Sequence, residues 1–261
     1  EEINLRLGAV EELTQKPMLR DEIREYLNPI YDLERLISRI SYQSANPRDM
    51  VAFASSLEMI PYIRQILQEF EAPILKQIFE DMDPLEDVTD LIKRAITDEP
   101  PLAQKDGGII REGYNADVDK YRHSRTDGKK WLAELEAREK ERTGIKTLKI
   151  KYSRVFGYAL EVTNSFKDQV PDNYVRKQTL TNAERYITQE LKDLEDLILG
   201  AEDRLYALEY ELFADVRDKV GKEVVRIQKT AKAIAALDVF ASLALVAERN
   251  NFVRPKINEN G

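Results

Sequence analysis

The sequence of 261 residues contains no cysteine and a single histidine, His123. The lack of cysteine excludes disulfides and thiolate metal sites, and it fits a reducing compartment. The sequence also lacks a run of eighteen apolar residues and an N-terminal signal pattern, so we expect a soluble protein without a membrane segment. Glycine and proline are scarce, at ten residues each, whereas 34% of the residues are charged. This combination predicts a helix-rich fold.

Motifs of common catalytic sites are equally absent. The sequence has neither a phosphate-binding G-x-x-x-x-G-K-[ST] loop nor a G-x-S-x-G nucleophile turn. His123 lies among arginines and a serine in a predicted helix, where an exposed surface residue is a better interpretation than a catalytic base. Several carboxylates surround Asp83, but Asp83 is typical of a helix N-cap and the calcium-loop pattern is missing. We therefore predict no catalytic residue, no metal ligand and no cofactor in this chain.

Apolar residues spaced by three and four predict helices along most of the chain. Two of these helices are long, at 114–142 and 190–219, and Gly128 is a candidate kink in the first. The second carries a heptad repeat that predicts a coiled-coil seam, formed by Leu191, Leu194, Ile198, Ala201, Leu205, Leu208 and Leu212. A further series continues toward residue 245 and places one acid, Asp238, at a core position.

Between the two long helices the apolar residues alternate instead. Leu148, Ile150 and Tyr152 fall on one face of a predicted strand, and Phe156, Tyr158, Leu160 and Val162 repeat the pattern. A helix of thirty residues is about 45 Å long at about 1.5 Å per residue. Because the two helices have similar lengths, we expect them to pair antiparallel and to hold the small sheet at their far end.

The charge of this β segment differs from that of the whole chain. From residue 146 to 185 there are eight Lys or Arg and four acids, a local charge of +4, whereas the chain carries −8. Candidate phosphate ligands near the first hairpin are Lys149, Lys151 and Arg154, and those in the third strand and the following turn are Arg176, Lys177, Asn182 and Arg185. No base-reading helix is evident, so binding would be independent of sequence. The alternative is an ordinary solvated face, or one that docks on acidic helices.

Several segments resemble the bacterial MutS family of DNA mismatch-repair proteins. The segments G-I-K-T-L-K-I-K-Y, F-G-Y-A-L-E-V-T and N-Y-V-R-K-Q-T-L-T-N-A-E-R-Y-I are similar to the family's clamp. Further matches are R-L-G-A-V-E-E-L at 6–13, A-N-P-R-D-M at 45–50, G-G-I-I-R-E-G-Y at 107–114 and A-L-D-V-F-A-S-L-A at 236–244. The resemblance covers about the whole chain.

The resemblance implies a mainly α fold with a small antiparallel β insertion, in which a helical core and two long antiparallel lever helices carry a β-rich clamp at the tip. It divides the chain into core and outgoing lever at 1–143, clamp at 144–189, and returning lever and core at 190–261. The family's Phe-x-Glu mismatch reader and its ATPase domain are missing here. We therefore expect a fragment that neither selects a mismatch nor hydrolyses ATP; ATP and Mg²⁺ belong to the full-length family.

Family contacts to the DNA backbone lie in and after the R-[RK]-Q-T-L-x-N stretch, which implies Arg176, Lys177 and Asn182 as ligands here. Three more candidates follow from charge and strand face: Lys149, Lys151 and Arg154. The sequence departs from the family at Thr181, where relatives often carry lysine, and at Gln189, where many carry proline. The first departure removes one possible phosphate contact, and the second makes the start of the returning helix less certain.

The resemblance also implies the partners. These are double-stranded DNA and, for the full-length protein, a second MutS subunit and MutL, in the bacterial cytoplasm with the nucleoid. The isolated fragment is expected to be a monomer, because the family's main dimer contact belongs to the missing ATPase domain. The alternative function is a coiled-coil scaffold whose terminal sheet binds protein instead of DNA. A third, an enzyme of unknown type, lacks a nucleophile or metal cluster.

Overall fold

The computed structural model describes residues 1–30, 32–102 and 107–257. Its helices are α1 (Glu2–Gln15), α2 (Pro17–Leu27), α3 (Leu33–Ser41), α4 (Pro47–Leu57), α5 (Ile60–Leu67), α6 (Pro73–Asp81), α7 (Glu86–Ala95), α8 (Ala116–Thr143), α9 (Gln189–Lys222) and α10 (Val224–Arg249). Its strands are β1 (Lys149–Ser153), β2 (Gly157–Thr163), β3 (Val175–Thr179) and β4 (Ala183–Ile187), with a 3₁₀ helix at Asn164–Gln169. The predicted mainly α fold with a small antiparallel β insertion is confirmed.

The chain forms two compact units. The helical unit consists of Glu1–Arg111 and Tyr210–Gly261, and the sheet-carrying unit consists of Glu112–Glu209. Helix α9 contributes its first part to the sheet-carrying unit and its last part to the helical unit.

Helix α10 is the centre of the helical unit, where it contacts α1, α2, α3 and α6. By length and composition it is the one described helix that could cross a membrane. Its packing against four neighbours instead buries much of its apolar surface within the unit. The prediction that Asp238 occupies a core position is wrong, because the buried stripe of α10 passes through Leu237 and Ala241 and leaves Asp238 exposed.

At two helix starts in this unit, nearby side chains accept hydrogen bonds from backbone N–H groups. At α4 the Asn46 side chain accepts a hydrogen bond from the Asp49 backbone N–H, and the Asn46 N–H donates to Oδ2 of Asp49. The predicted N-cap at Asp83 is wrong, since α7 begins at Glu86, after Leu85 in the left-handed conformation (φ 52°). Asp83 instead accepts from the Leu85 N–H at 2.9 Å and pairs with Arg226.

In the sheet-carrying unit α8 and α9 run antiparallel. Arg138 pairs with Glu190 near one end, and Arg122 pairs with Glu209 near the other. Helix α8 continues through Gly128. A Cβ at this position would lie 2.5 Å from Cγ1 of Ile198, so the glycine allows close approach of the two helices and does not serve as the predicted kink.

The predicted heptad seam holds along only the first part of α9. Residues 191, 198, 201 and 205 are buried, whereas Leu194, Leu208 and Leu212 are only partly buried. From there the buried row passes through Glu209, Phe213 and Val216. The buried row thus steps from 205 to 209 where the heptad predicted 208. The row then includes a buried charged residue, Glu209.

The four strands form one antiparallel sheet in the order β1-β2-β4-β3. The predicted alternation is confirmed in β2, where Leu160 and Val162 are buried. One face of the sheet packs in an apolar cluster that includes Leu132, Leu135, Leu148, Leu160, Val162, Tyr174, Tyr186, Leu191 and Ile198. The helices therefore cover one face of the sheet, which we call the inner face.

Candidate nucleic-acid interface

The opposite face of the sheet is polar, and we call it the outer face. Residues paired across antiparallel strands point to the same side of a sheet. The registers Lys149↔Glu161, Glu161↔Arg185 and Gln178↔Arg185 therefore place these four side chains in one row across all four strands. The outer face is defined here by Lys149, Lys151, Ala159, Glu161, Thr163, Gln178, Ala183 and Arg185, and the pair Val175↔Ile187 adds an apolar margin on the same side.

Glu161 lies at the centre of this face and joins two cations. Its carboxylate oxygens lie 2.9 Å from Nζ of Lys151 and 3.0 Å from Nε of Arg185. Nη1 of Arg185 also donates to Oε1 of Gln178 at 3.1 Å. Partial burial works to raise the pKa of the Glu161 carboxyl, but hydrogen bonds and charge from Lys151 and Arg185 outweigh it and lower the pKa. Glu161 is therefore ionised at neutral pH.

The structure does not gather the six candidates into one patch. All six are exposed, namely Lys149, Lys151, Arg154, Arg176, Lys177 and Asn182. Lys149 and Lys151 lie on the outer face. Arg154 lies in the β1–β2 turn, beyond the pair Ser153↔Gly157, and Asn182 lies in the β3–β4 turn, next to the pair Thr163↔Ala183. These two turns are at opposite ends of the sheet.

A bulge separates the two neighbouring candidates of β3. The β3–β4 register shifts between Arg176 and Gln178, so Lys177 is the extra residue. Arg176 pairs with Tyr186, a residue of the inner face. Its side chain is 64% exposed and its Nη1 lies 3.6 Å from Oε1 of Glu184. Arg176 is thus accessible to solvent, but from the side opposite to Lys149.

Arg185, named from its charge but not among the six DNA-backbone candidates, lies on the outer face. It is in β4, so the prediction that it belongs to the third strand or the following turn is wrong. The signal was present in A-E-R-Y-I, because an inward Tyr186 requires Arg185 to point outward. The outer face thus carries three cations and one acid.

Hydroxyl and amide groups extend the polar surface toward the Asn182 end. Oγ1 of Thr163 lies 2.8 Å from Oγ1 of Thr147 and 3.1 Å from Oγ of Ser165. The Asn164 side chain donates to the carbonyl of Thr181 at 3.1 Å, and the Asn164 N–H donates to the carbonyl of Asn182 at 3.1 Å. Such groups are common ligands of phosphate and sugar oxygens.

Each long helix holds the sheet through a glutamate. Oε2 of Glu136, on α8, accepts from the Ile150 N–H at 2.9 Å, and Oε2 of Glu195, on α9, accepts from the Tyr158 N–H at 2.7 Å. Burial tends to raise the pKa of Glu136, but hydrogen bonds from Lys140 and from the Ile150 N–H lower it. Gly157 has φ 73°, and a Cβ there would lie 2.3 Å from Oε1 of Glu195. These contacts fix how the sheet sits on the helices within this unit.

A third carboxylate anchors the segment before β3. The Tyr174 hydroxyl donates to Oε2 of Glu139 at 2.6 Å, and Nη2 of Arg142 lies 2.7 Å from the same oxygen. The hydrogen bond from Arg142 lowers the pKa of Glu139. Burial, together with the Glu139 carboxylate, raises the pKa of Tyr174.

The groups collected here suit binding of an anion through charge and hydrogen bonds. In the part of the chain that the structure describes, no three His, Asp or Glu side chains are grouped to hold a metal ion. His123 is exposed on α8, as predicted, with Nδ1 2.6 Å from the carbonyl oxygen of Asp119.

Comparisons with known proteins give consistent matches along the chain. A family model described as MutS domain III matches residues 1–244. The chain is 62% identical over its whole length to the DNA mismatch repair protein MutS of Lachnoclostridium phytofermentans. It is 49% identical over 259 residues, 99% of the chain, to that of Acetivibrio thermocellus. It is 53% identical over 258 residues, 99% of the chain, to that of Caldanaerobacter subterraneus subsp. tengcongensis. The chain spans 28% to 30% of the length of these relatives.

Proposed function

The chain belongs to the MutS domain III family, and from this membership we propose that it serves DNA mismatch repair as a part that holds the backbone of duplex DNA without reading bases. The outer face is the observation that carries the proposal. It is polar, and it presents Lys149 and Lys151 from β1 and Arg185 from β4. Cations of this kind bind phosphates irrespective of base sequence.

We propose the same division of the chain that the resemblance implies. Residues 1–143 form the core and outgoing lever, 144–189 form the clamp, and 190–261 form the returning lever and core. The antiparallel pair of α8 and α9, with a glutamate from each bonded to the sheet, supports a role as a stiff connection to the clamp. In the whole protein, ATP and Mg²⁺ bound outside this chain would drive a rigid-body movement of the levers.

The remaining partners are proposed from the function for which the relatives are named, DNA mismatch repair. We propose that the full-length protein acts as a homodimer that recruits MutL, in the cytoplasm and on the nucleoid. The chain itself is proposed to lack ATPase activity and to be monomeric. One clamp without its dimer partner loses the high effective concentration that two linked sites provide, so its affinity for DNA will be low.

Titration of the chain with duplex DNA at two salt concentrations tests the proposal. Changing Arg176, Lys177 and Asn182 together to Ala should weaken binding equally for matched and mismatched duplexes. Loss of two cationic phosphate contacts should also reduce the salt slope by about two. A matched control removes two exposed cations of the helical unit, Arg6→Ala and Lys76→Ala, and should bind like the original chain.

Unchanged affinity of the triple variant at low salt would remove these three residues from the interface. Because Lys149 and Lys151 point to the outer face and Arg176 does not, the pair Lys149→Ala and Lys151→Ala should then be compared with it. Weakening by this pair alone would assign DNA to the outer face.

Exposed apolar residues near the sheet favour the alternative function. Val155 and Phe156, in the β1–β2 turn, are 79% and 39% exposed. A scaffold that binds protein through this end would show no shift of duplex DNA at low salt, and that result would replace the proposed function.

A further inference from the structure

Glu161 is the one acid among the strand residues that the structure describes on the outer face. It is not peripheral, because Lys149 stands opposite it on β1 and Arg185 opposite it on β4. Its two oxygens take one cation each, Lys151 and Arg185. Two of the three cations of this face are therefore already paired with a carboxylate.

A phosphodiester and a carboxylate compete for the same groups. Both are anions with two outward oxygens, and both accept the charge-assisted hydrogen bonds that lysine and arginine donate. The competing partner is only partly buried: the side chains of Glu161, Arg185 and Lys151 are 17%, 18% and 49% exposed. Exchange of one anion for another is easiest at Lys151, whose half-exposed side chain keeps its contact with Glu161 close to solvent.

We propose that Glu161 is a built-in competitor of the DNA phosphates, which holds Lys151 and Arg185 in the unbound protein and thereby limits the affinity of the outer face for the duplex backbone. The inference rests on the proposed function and adds regulation to the same site. A phosphate that pairs with Lys151 or Arg185 must break a contact with Glu161 and approach its negative charge. The grip is consequently weak and readily exchanged from one phosphate to the next.

Arg185 also donates to Gln178, a contact that can remain when a phosphate replaces Glu161, so this long side chain need not be ordered anew when DNA arrives. Lower ordering cost favours rapid binding, and repulsion by Glu161 favours rapid release. Both effects suit a surface that moves along DNA.

The test is Glu161→Gln in the whole chain, measured by duplex titration at two salt concentrations. Glutamine keeps the size and the hydrogen-bonding oxygen but removes the charge. We expect tighter binding by about fivefold, the effect of one unit charge at about 4 Å in water. The salt slope should become steeper by about one, because one more cation is free to neutralise a phosphate. A gain of affinity cannot arise from misfolding.

Two further variants sharpen the result. Asp172→Asn removes the same charge from an exposed turn before β3, outside the outer face, and should leave affinity within about twofold of the original chain if distant charges are screened. In a Lys151→Ala background, Glu161→Gln should give a smaller gain than in the original chain, since one of the released cations is gone.

The possible results distinguish failure of the inference from failure of the proposed function on which it rests. Salt-dependent binding by the original chain with equal or weaker binding by Glu161→Gln would overturn the inference alone and leave Glu161 as a cross-strand ion pair of purely structural value. An equal gain from Asp172→Asn would overturn it too, since net charge would then explain the effect. No duplex binding by any variant at low salt would overturn both the proposed function and the inference.

Discussion

The helical unit and the sheet-carrying unit place their polar attachments at different parts of the backbone. The interior of the helical unit is filled with apolar side chains such as Leu13, Phe53 and Ile63, all fully buried. The sheet-carrying unit has one smaller apolar cluster against one face of its sheet, and its helices add the carboxylates of Glu136 and Glu195.

The difference follows from backbone hydrogen bonding. A helix satisfies its own N–H groups except in the first turn, so a polar attachment between helices is made at a helix start: in the helical unit Glu12 of α1 accepts from the N–H groups of Glu71 and Ala72, just before α6. A strand at the edge of a sheet leaves every second N–H without a ladder partner. Ile150 lies in the edge strand β1, and Tyr158 lies at the start of β2, which β4 pairs only from Leu160 onward. A glutamate from each long helix accepts these two N–H groups. A small sheet on long helices therefore needs polar attachment as well as an apolar cluster, and four predictions test this view.

The largest effect is expected in the interior of the helical unit. Phe53→Ala should lower the free energy of unfolding by about 3–5 kcal/mol, because the lost ring leaves a cavity among packed neighbours. Denaturant unfolding measures this, with Met18→Ala, at a side chain that is 85% exposed, as the control. Similar denaturation midpoints for the two variants would contradict the view that apolar packing around Phe53 stabilises the helical unit.

The contact of α8 with α9 is expected to show the next largest effect. Gly128→Ala should lower the free energy of unfolding by about 1–3 kcal/mol, because its Cβ would overlap Ile198. Gly200→Ala, on α9, has no heavy atom within 4 Å of its Cβ and should instead stabilise by up to about 1 kcal/mol through helix propensity. Fluorescence of Trp131, the only tryptophan, reports on this unit. Stability changes of the same sign for the two variants would contradict the inference that Gly128 allows close approach of α8 and α9.

The polar attachment is tested by Glu195→Ala. It leaves the Tyr158 N–H without its acceptor, and loss of that bond should destabilise the sheet by about 1–3 kcal/mol. Amide hydrogen exchange at Tyr158 should accelerate, whereas Glu134→Ala, at an exposed residue of α8 that pairs with Lys130, should leave it unchanged. Equal protection in both variants would show that the apolar cluster suffices.

The smallest effect on stability is expected from the ionisation of tyrosines at alkaline pH. It concerns the sheet-carrying unit. Burial raises the pKa of Tyr186 and of Tyr206 to about 12, and it also raises the pKa of Tyr174. A tyrosine with a raised folded pKa stabilises fully below the unfolded value of about 10 and loses this contribution as the pH rises toward the folded value. All three lie in the sheet-carrying unit.

Urea unfolding should therefore show a decline in stability between about pH 10 and 12. The triple change of these tyrosines to Phe should reduce the decline, because their three hydroxyls can no longer ionise. Tyr158, whose pKa burial also raises, should keep part of it. Tyr42→Phe, at an 84% exposed residue of the helical unit, is the matched control and should leave the decline as steep. A decline that the triple change does not alter would assign the pH effect to other groups.

Local pattern was enough to predict much of the fold. The spacing of apolar residues predicted helices at 114–142 and 190–219, and the structure has α8 at Ala116–Thr143 and α9 at Gln189–Lys222. Alternation predicted strands with Leu160 and Val162 inward, and charge singled out the basic segment. These features depend on residues a few positions apart, which the sequence displays directly.

Tertiary structure decided which side chains share a surface. The bulge at Lys177 and the register of β3 with β4 put Arg176 on the inner face and Arg185 on the outer one. The roles of Gly128, Asp238 and Glu195 likewise depend on atoms far away along the chain, or on the exact angle of a helical stripe. Periodicity fixes the direction of a side chain relative to its own element, but only the packing of elements determines what that side chain meets.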